Sequence, residues 1–432
     1  MAESPINPSN PTPPSNSQPP DPRDKKPWLF GRGTPPPQSG PSGQSGSSRP
    51  SRGAPSGPLP RRAAAPPPPR GPLGPSRVPV PSSGSGSGPA RVSKAAVTPP
   101  PAPKTKAAKP PRPAPPPKPQ PSPAGTRRSL LCYSKVNLAL AVGPPDERGF
   151  HPIASWVVPI DLADELELEV LPEGETSRYA ITWADDAPHV TPIDWPIEKD
   201  LCVKAHRLLE EHAGKKLPLA MTLRKRTPVG GGLGGGSSDC GTMLRVVNDL
   251  FALGHTQAKL HGLASRLGSD VAFFIDLERP ADTIDSMPRP SLMTGLGQGI
   301  TRIPSIPGSL VLLVPPFGTP TGPVYQKFDT VQAKAGPLKR GEVENAIVRC
   351  AGATSILSDV LFNDLTIPAE RVEPRLAGLR AMLSASLEMP VHVTGSGSTM
   401  FVVAPGAKEA KALVSTVKKT KLGVVAVVVK VG

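Results

Sequence analysis

The chain has 432 residues, of which 63 are Pro and 42 Gly, with 4% aromatics and 37% hydrophobics, too little apolar material for one globular body. Residues 1–128 hold 19 of the 50 basic residues, 3 of the 35 acidic ones and 39 of the 63 prolines, so the formal charge of +15 belongs to that segment and the rest is close to neutral. No apolar run reaches the roughly 18 residues that span a bilayer, and no basic-then-apolar leader follows Met1, which speaks against a membrane or secreted protein and for a cytoplasmic one.

Residues 1–128, built of Pro, Ser, Gly, Ala, Lys and Arg, lack the apolar surface to offset chain entropy and are expected to form a disordered tail with polyproline II stretches. The tail could serve proline-binding modules, nucleic acid or an anionic membrane, or act as a plain solubilising extension. Only Trp28 and Phe30, between Lys26 and Arg32, set aromatic rings among its basic residues, too few for a base-stacking platform, which favours no specific nucleic acid partner. The four cysteines, Cys132, Cys202, Cys240 and Cys350, lack C-x-x-C spacing, so neither a zinc site nor a disulfide framework is expected.

The remainder is expected to fold as α+β. Leu130 to Leu140 reads as a strand whose second half alternates apolar and polar residues, and Leu166 to Val170 as a half-exposed strand. Lys199 to His212 carries apolar residues at helical spacing, and Met221 to Lys225 is a strand that feeds a glycine-rich loop. A helix over Ser238 to Phe251 follows, with Met243, Leu244, Val247, Leu250 and Phe251 on one face. Leu310 to Val314 and Val424 to Val431 read as buried strands, Pro374 to Leu387 as a helix opened by its proline, and His392-Val393 precedes a second glycine loop. Helices and strands mix without a βαβ repeat.

The strongest signal is Pro228-Val229-Gly230-Gly231-Gly232-Leu233-Gly234-Gly235-Gly236-Ser237-Ser238-Asp239. Glycines let the backbone approach an anion closely, and a helix start supplies free N–H groups and a favourable dipole, so the segment reads as a phosphate site with Ser237, Ser238 and Asp239 available as caps. It is neither a Walker A loop nor a dinucleotide fingerprint.

This loop resembles the P-x-x-x-G-L-G-S-S-A signature of the GHMP kinase superfamily. Its triple-glycine form, preceded by Lys225-Arg226-x-Pro228, is similar to that of the 4-diphosphocytidyl-2-C-methyl-D-erythritol kinases. Lys135-Val136-Asn137-Leu138, Gly149-Phe150-His151, Leu267-Gly268-Ser269-Asp270-Val271, Asn363-Asp364-Leu365 and Thr394-Gly395-Ser396-Gly397-Ser398 resemble further segments of that family in the same order. The chain departs from the family pattern at Tyr133-Ser134, at Phe150 in place of tyrosine, and at Pro152, Cys240-Gly241 and Ala272.

The resemblance implies a two-lobed GHMP kinase fold, with a ribosomal-protein-S5-like N-terminal lobe (129–300) and a ferredoxin-like C-terminal lobe (301–432). It implies transfer of the ATP γ-phosphoryl group to a small-molecule hydroxyl, with Mg2+ bridging phosphate oxygens and no protein metal site. Asp270 would be the general base, Lys135 would steady that carboxylate and the moving phosphoryl group, and Pro228 and Gly230 to Ser238 would hold the nucleotide. Asn137 and His151 by hydrogen bonds, Phe150 by stacking, and Gly395, Ser396 and Gly397 by close approach would hold the acceptor. Two other readings stand beside it: a GHMP kinase for another hydroxyl acceptor such as a sugar or homoserine, and a silent kinase body whose tail does the binding.

Overall fold

The computed structural model describes residues 120–278, 287–331 and 336–432; most of the proline-rich segment lies outside the described residues. The chain is tied to the fold before Ser129. Ser122 N–H donates to Leu250 O (2.7 Å) and Gly125 N–H to Val170 O (2.8 Å), leading into strand β1 (Arg127–Val142).

β1 pairs along its length with β2 (Ile153–Val170), and β2 in turn carries β4 (Leu219–Lys225) on its second half. β3 (Arg178–Trp183) runs parallel to β4 at the sheet edge. The first half of β2 instead pairs with β5 (Ser291–Gly295), which forms a hairpin with β6 (Gly299–Arg302). A two-residue strand, β8 (Phe362–Asn363), pairs parallel with β1 and completes this sheet. The second sheet joins β7 (Ser309–Val314), β9 (His392–Val393), β10 (Met400–Ala404) and β11 (Val425–Lys430) in the order β11-β7-β10-β9.

Helices cover both sheets. α1 (Leu201–Ala213), α2 (Gly235–Leu250) and α3 (Gln257–Ala264) pack on the β1-β2-β4 sheet through Leu209, Leu244, Val247 and Leu260 against Leu166, Leu168, Met221 and Leu223. α4 (Thr321–Val331), α6 (Thr366–Val372), α7 (Pro374–Leu387) and α8 (Ala407–Thr420) pack on one face of the second sheet. α5 (Arg340–Ala353) lies in the core shared by β1, β2, β7 and β10. The alternation in Leu166 to Val170 appears as buried leucines and partly exposed glutamates, and α7 has the expected bounds. The architecture is α+β. All four cysteines are free and buried.

Two local outcomes differ from the sequence reading and shape the site. The polar residues that alternate along β1 face no solvent: Ser134, Lys135 and Asn137 are 0%, 4% and 6% exposed. Register shifts at Tyr133/Ser134 and Asn137/Ala139 bracket them, and such bulges re-aim side chains out of the regular pleat. The glycine-loop helix starts at Gly235, three residues earlier than expected, with Gly234 (φ 73°) as its N-cap and no side chain capping it. Ser237, Ser238 and Asp239 therefore lie inside the first turns of α2.

Candidate active site

The glycine loop leaves β4 and bends through Gly230, Gly232 and Gly234, all at positive φ. At Gly232 a side chain is excluded: a Cβ there would lie 2.5 Å from Thr394 O and 2.9 Å from Gly397 O. The loop is thus pressed on the second glycine segment, and Thr399 N–H donates to Gly231 O (3.2 Å). The N–H groups of the first turn of α2 have no intrahelical acceptor, no N-cap side chain takes them up, and they form the positive end of the helix dipole. Such a terminus binds anionic oxygens.

Beside this terminus lies a cleft of about 530 Å3. Its walls take Lys135 and Asn137 from β1, Pro228 to Ser237 from the loop, Asp270 from the turn after α3, Thr321 and Tyr325 from α4, and Gly395 and Ser396 from the second glycine segment. Lys135 Nζ donates to Asn137 Oδ1 (2.6 Å) and Gly232 O (2.8 Å) and stands 3.5 Å from Asp270 Oδ2. The lysine is buried, whereas the Asp270 side chain is one-third exposed to the cleft. Asn137 Nδ2 donates to Ser155 Oγ (2.8 Å), which fixes the amide so that its oxygen faces the ammonium. A buried cation thereby sits between the anion-binding loop and an accessible carboxylate.

Asp270 is held from two sides. Arg302 donates to Phe273 O (2.7 Å) and Ile275 O (2.9 Å) just after it. Before it, the β5-β6 turn rests on Ser269, where a Cβ on Gly297 would come within 2.3 Å of Ser269 O.

Under the loop, Lys225 Nζ donates to Asp164 Oδ2 (2.6 Å) and Asp239 Oδ2 (2.7 Å), all three side chains being at most 5% exposed. Asp164 Oδ1 also accepts from the N–H groups of Arg226 (2.6 Å) and Thr227 (2.7 Å). The loop entrance is therefore tied to β2 and the first turns of α2 to β4. Burial, joined by the charge of Asp164, pushes the Asp239 carboxyl well above the usual carboxylate range although Lys225 opposes the shift.

The structure brings Lys135, Asn137, Asp270, Pro228, Gly230 to Ser237, Gly395 and Ser396 to one cleft. Ser238, Gly397, Phe150 and His151 are not among its lining residues; Ser238 and Gly397 are buried, and His151 meets the cleft only through the Tyr325 ring. Asp146 gathers the N–H groups of Arg148 and Phe150 into a turn that leaves the Phe150 ring 40% exposed, with the Arg148 guanidinium 5.5 Å above its centre. His151 is buried. Its Nδ1 pairs with Gly143 O (2.9 Å), its Nε2 lies 3.2 Å from Asp329 Oδ1, and its ring centre is 5.4 Å from that of Tyr325. Tyr325, Trp195, Thr321 and the Lys225 network were not singled out from sequence. The Lys-Arg-x-Pro run drew attention to Lys225, but its two carboxylate partners lie 61 and 14 residues away.

Comparison with known proteins accords with this geometry. Residues 200–276 match the profile of the GHMP kinases N terminal domain. The 4-diphosphocytidyl-2-C-methyl-D-erythritol kinase of Caulobacter sp. (strain K31) is 30% identical over 303 residues, covering 67% of this chain and 92% of that relative. The enzyme of the same name from Symbiobacterium thermophilum is 32% identical over 278 residues, covering 63% and 89%. The crystal structure of 4-(cytidine 5'-diphospho)-2C-methyl-D-erythritol kinase superposes with a TM-score of 0.55 at 27% identity, covering 71% of this chain and 99% of that one. L. major mevalonate kinase, solved with R-mevalonate, shares the fold with a TM-score of 0.50 at 16% identity, covering 72% and 98%.

Proposed function

The chain belongs to the 4-diphosphocytidyl-2-C-methyl-D-erythritol kinases of the GHMP kinase superfamily and is a small-molecule kinase, and from that premise we propose that it transfers the ATP γ-phosphoryl group to the 2-hydroxyl of 4-diphosphocytidyl-2-C-methyl-D-erythritol in isoprenoid precursor synthesis. The observation that carries the reading is the Lys135–Asp270 pair at 3.5 Å beside an uncapped helix N-terminus.

The nucleotide phosphates would lie on the first-turn N–H groups of α2 and on the glycine loop, which fits them because nothing else caps that terminus. Mg2+ would arrive with the nucleotide and offset the charge of its phosphate oxygens. The acceptor hydroxyl would sit between Asp270, which takes its proton, and the phosphoryl group, with Lys135 offsetting the charge that develops in transfer. The cleft would be the seam between an N-terminal lobe (129–300) and a C-terminal one (301–432), with Gly395 and Ser396 as the acceptor wall. The cytidyl end would lie over Tyr325, whose ring packs on His151, and reach toward the exposed ring of Phe150; Asn137, His151 and Gly397 would shape that wall from behind.

The testing experiment pairs Asp270→Asn with Lys135→Met. Asp270→Asn should bind ADP as the parent does, and both variants should lose turnover by about a hundredfold or more, the scale expected for a general base or an oxyanion-stabilising charge. Parent-like turnover in Asp270→Asn would remove the base from this reading.

A further inference from the structure

The Asn363-Asp364-Leu365 segment stands out in the sequence, yet the chemistry above gives it no task. In the structure, Asn363 Nδ2 donates to Val393 O and Gly395 O, both at 2.8 Å, and Oδ1 accepts from Leu365 N–H (2.9 Å). The amide is thus fully engaged, and it hangs the second glycine segment on β8. β8 in turn is locked to β1: Asn363 lies opposite Leu140, Asp364 N–H donates to Leu140 O (2.9 Å), and Asp364 Oδ2 accepts from Val142 N–H (3.0 Å).

A second hook comes from β1 itself, where Asn137 N–H donates to Thr394 Oγ1 (2.9 Å). The backbone suspended this way presses on the reacting groups. A Cβ on Gly395 would lie 3.1 Å from Gly232 O and 3.3 Å from both Asn137 Oδ1 and Lys135 Nζ. No side chain fits between the Gly395 wall, the buried ammonium and the glycine loop without a neighbour giving way, and a slip of the wall changes the shape of the cleft that Asp270 also lines.

We propose that Asn363 is a positioning residue that fixes the Thr394–Ser396 wall relative to Asp270 and so aligns the acceptor; this rests on the kinase reading above. An amide suits the task because one NH2 group can serve two carbonyls two residues apart. Asn363→Ala leaves both carbonyls unpaired, and Asn363→Asp sets a carboxylate against them.

The test is steady-state kinetics of the full chain with ATP and 4-diphosphocytidyl-2-C-methyl-D-erythritol, beside calorimetric titration with ADP. In Asn363→Ala, kcat/KM for the acceptor should fall about 10- to 100-fold, the cost of misplacing reacting groups by roughly an ångström, while ADP affinity stays unchanged. Thr394→Val, which removes the other hook, should give the same split, and the double variant should lose less than the product of the two losses, because both hooks hold one wall. Unchanged acceptor kinetics in Asn363→Ala, or ADP affinity that falls in step with kcat/KM, would overturn the proposal. If Asn363→Ala does not fold, Thr394→Val decides on the same criteria. A parent chain without turnover of this acceptor sinks the kinase reading, and this inference with it.

Discussion

Asp164, Lys225 and Asp239 put two carboxyls and one ammonium into a space closed to water. Asp164 accepts three donors and Asp239 one, so Asp239 is the carboxyl that holds a proton most readily, in line with its raised pKa. A carboxyl with a raised folded-state pKa adds stability that is full below its unfolded value and is lost as pH rises toward the folded one. Asp239→Asn should therefore flatten the fall of Tm between acid and neutral pH, while Asp164→Asn should cost about 3 kcal/mol by leaving Lys225 and two backbone donors poorly paired. Thermal melts of both variants across pH check this; equal pH dependence in Asp239→Asn and the parent would contradict it. At this scale Lys135 and Asp270 were legible, because each stands in a short ordered motif. Asn363 was legible as a motif but not as a clamp, and Tyr325 not at all, since their roles come from contacts with residues 30 and 32 positions away for Asn363 and with His151, far back in the chain, for Tyr325.

Element by element, what the sequence missed was how tightly the pieces meet. Gly241 in α2 looks like a helix defect, and by propensity alone Gly241→Ala should gain up to about 1 kcal/mol. In the fold a Cβ there would lie 2.9 Å from Phe274 Cβ and 3.1 Å from Val271 O. Overpacking of this kind costs about 1–3 kcal/mol, so Gly241→Ala should be net destabilising by roughly 1 kcal/mol in denaturant melts; a stabilised variant would show that the turn yields freely. That turn follows Asp270, so turnover should fall too.

The same turn is braced by Asp276, which pairs with Arg289 (2.7 Å) and lies 3.6 Å from Arg302. Burial alone would raise the Asp276 pKa, but the Arg289 hydrogen bonds and the Arg302 charge outweigh it and hold the group down at about 2. Its contribution to stability is present above the ordinary carboxylate range and lost as pH falls toward 2. Asp276→Ala should cost about 3 kcal/mol, because it strands the largely buried Arg302, and the variant should show less acid sensitivity between pH 4 and 2 than the parent. The caps of α2 show a related limit: Ser-Ser-Asp reads as a capping run, but Gly234 at φ 73° ends the loop first, and Asp239 is drawn to Lys225.

For the molecule as a whole, the contrast between a basic proline-rich segment and a near-neutral folded part was plain in composition. The α+β class followed from irregular mixing of the two periodicities. The pairing of β8 with β1, which carries the second glycine segment to Lys135, has no local signature, because a two-residue strand is below any period. Composition alone places residues 122–128 in the tail, yet Ser122, Gly125 and Thr126 are hydrogen-bonded through their backbone to Leu250 and Val170. Removing residues 1–119 should therefore leave turnover within the parent's range, whereas cutting at 129 should lower Tm. Loss of turnover in the shorter deletion would assign the tail a part in catalysis.

The central claim is tested most directly by mass-spectrometric detection of phosphorylated product from the purified full chain with ATP, offered 4-diphosphocytidyl-2-C-methyl-D-erythritol beside mevalonate, homoserine and galactose. Phosphorylation of the cytidyl compound, competed by CDP, is the predicted result. Turnover of only one of the other acceptors would keep the Lys135–Asp270 chemistry and contradict the acceptor; no product from any of them would contradict the kinase reading itself.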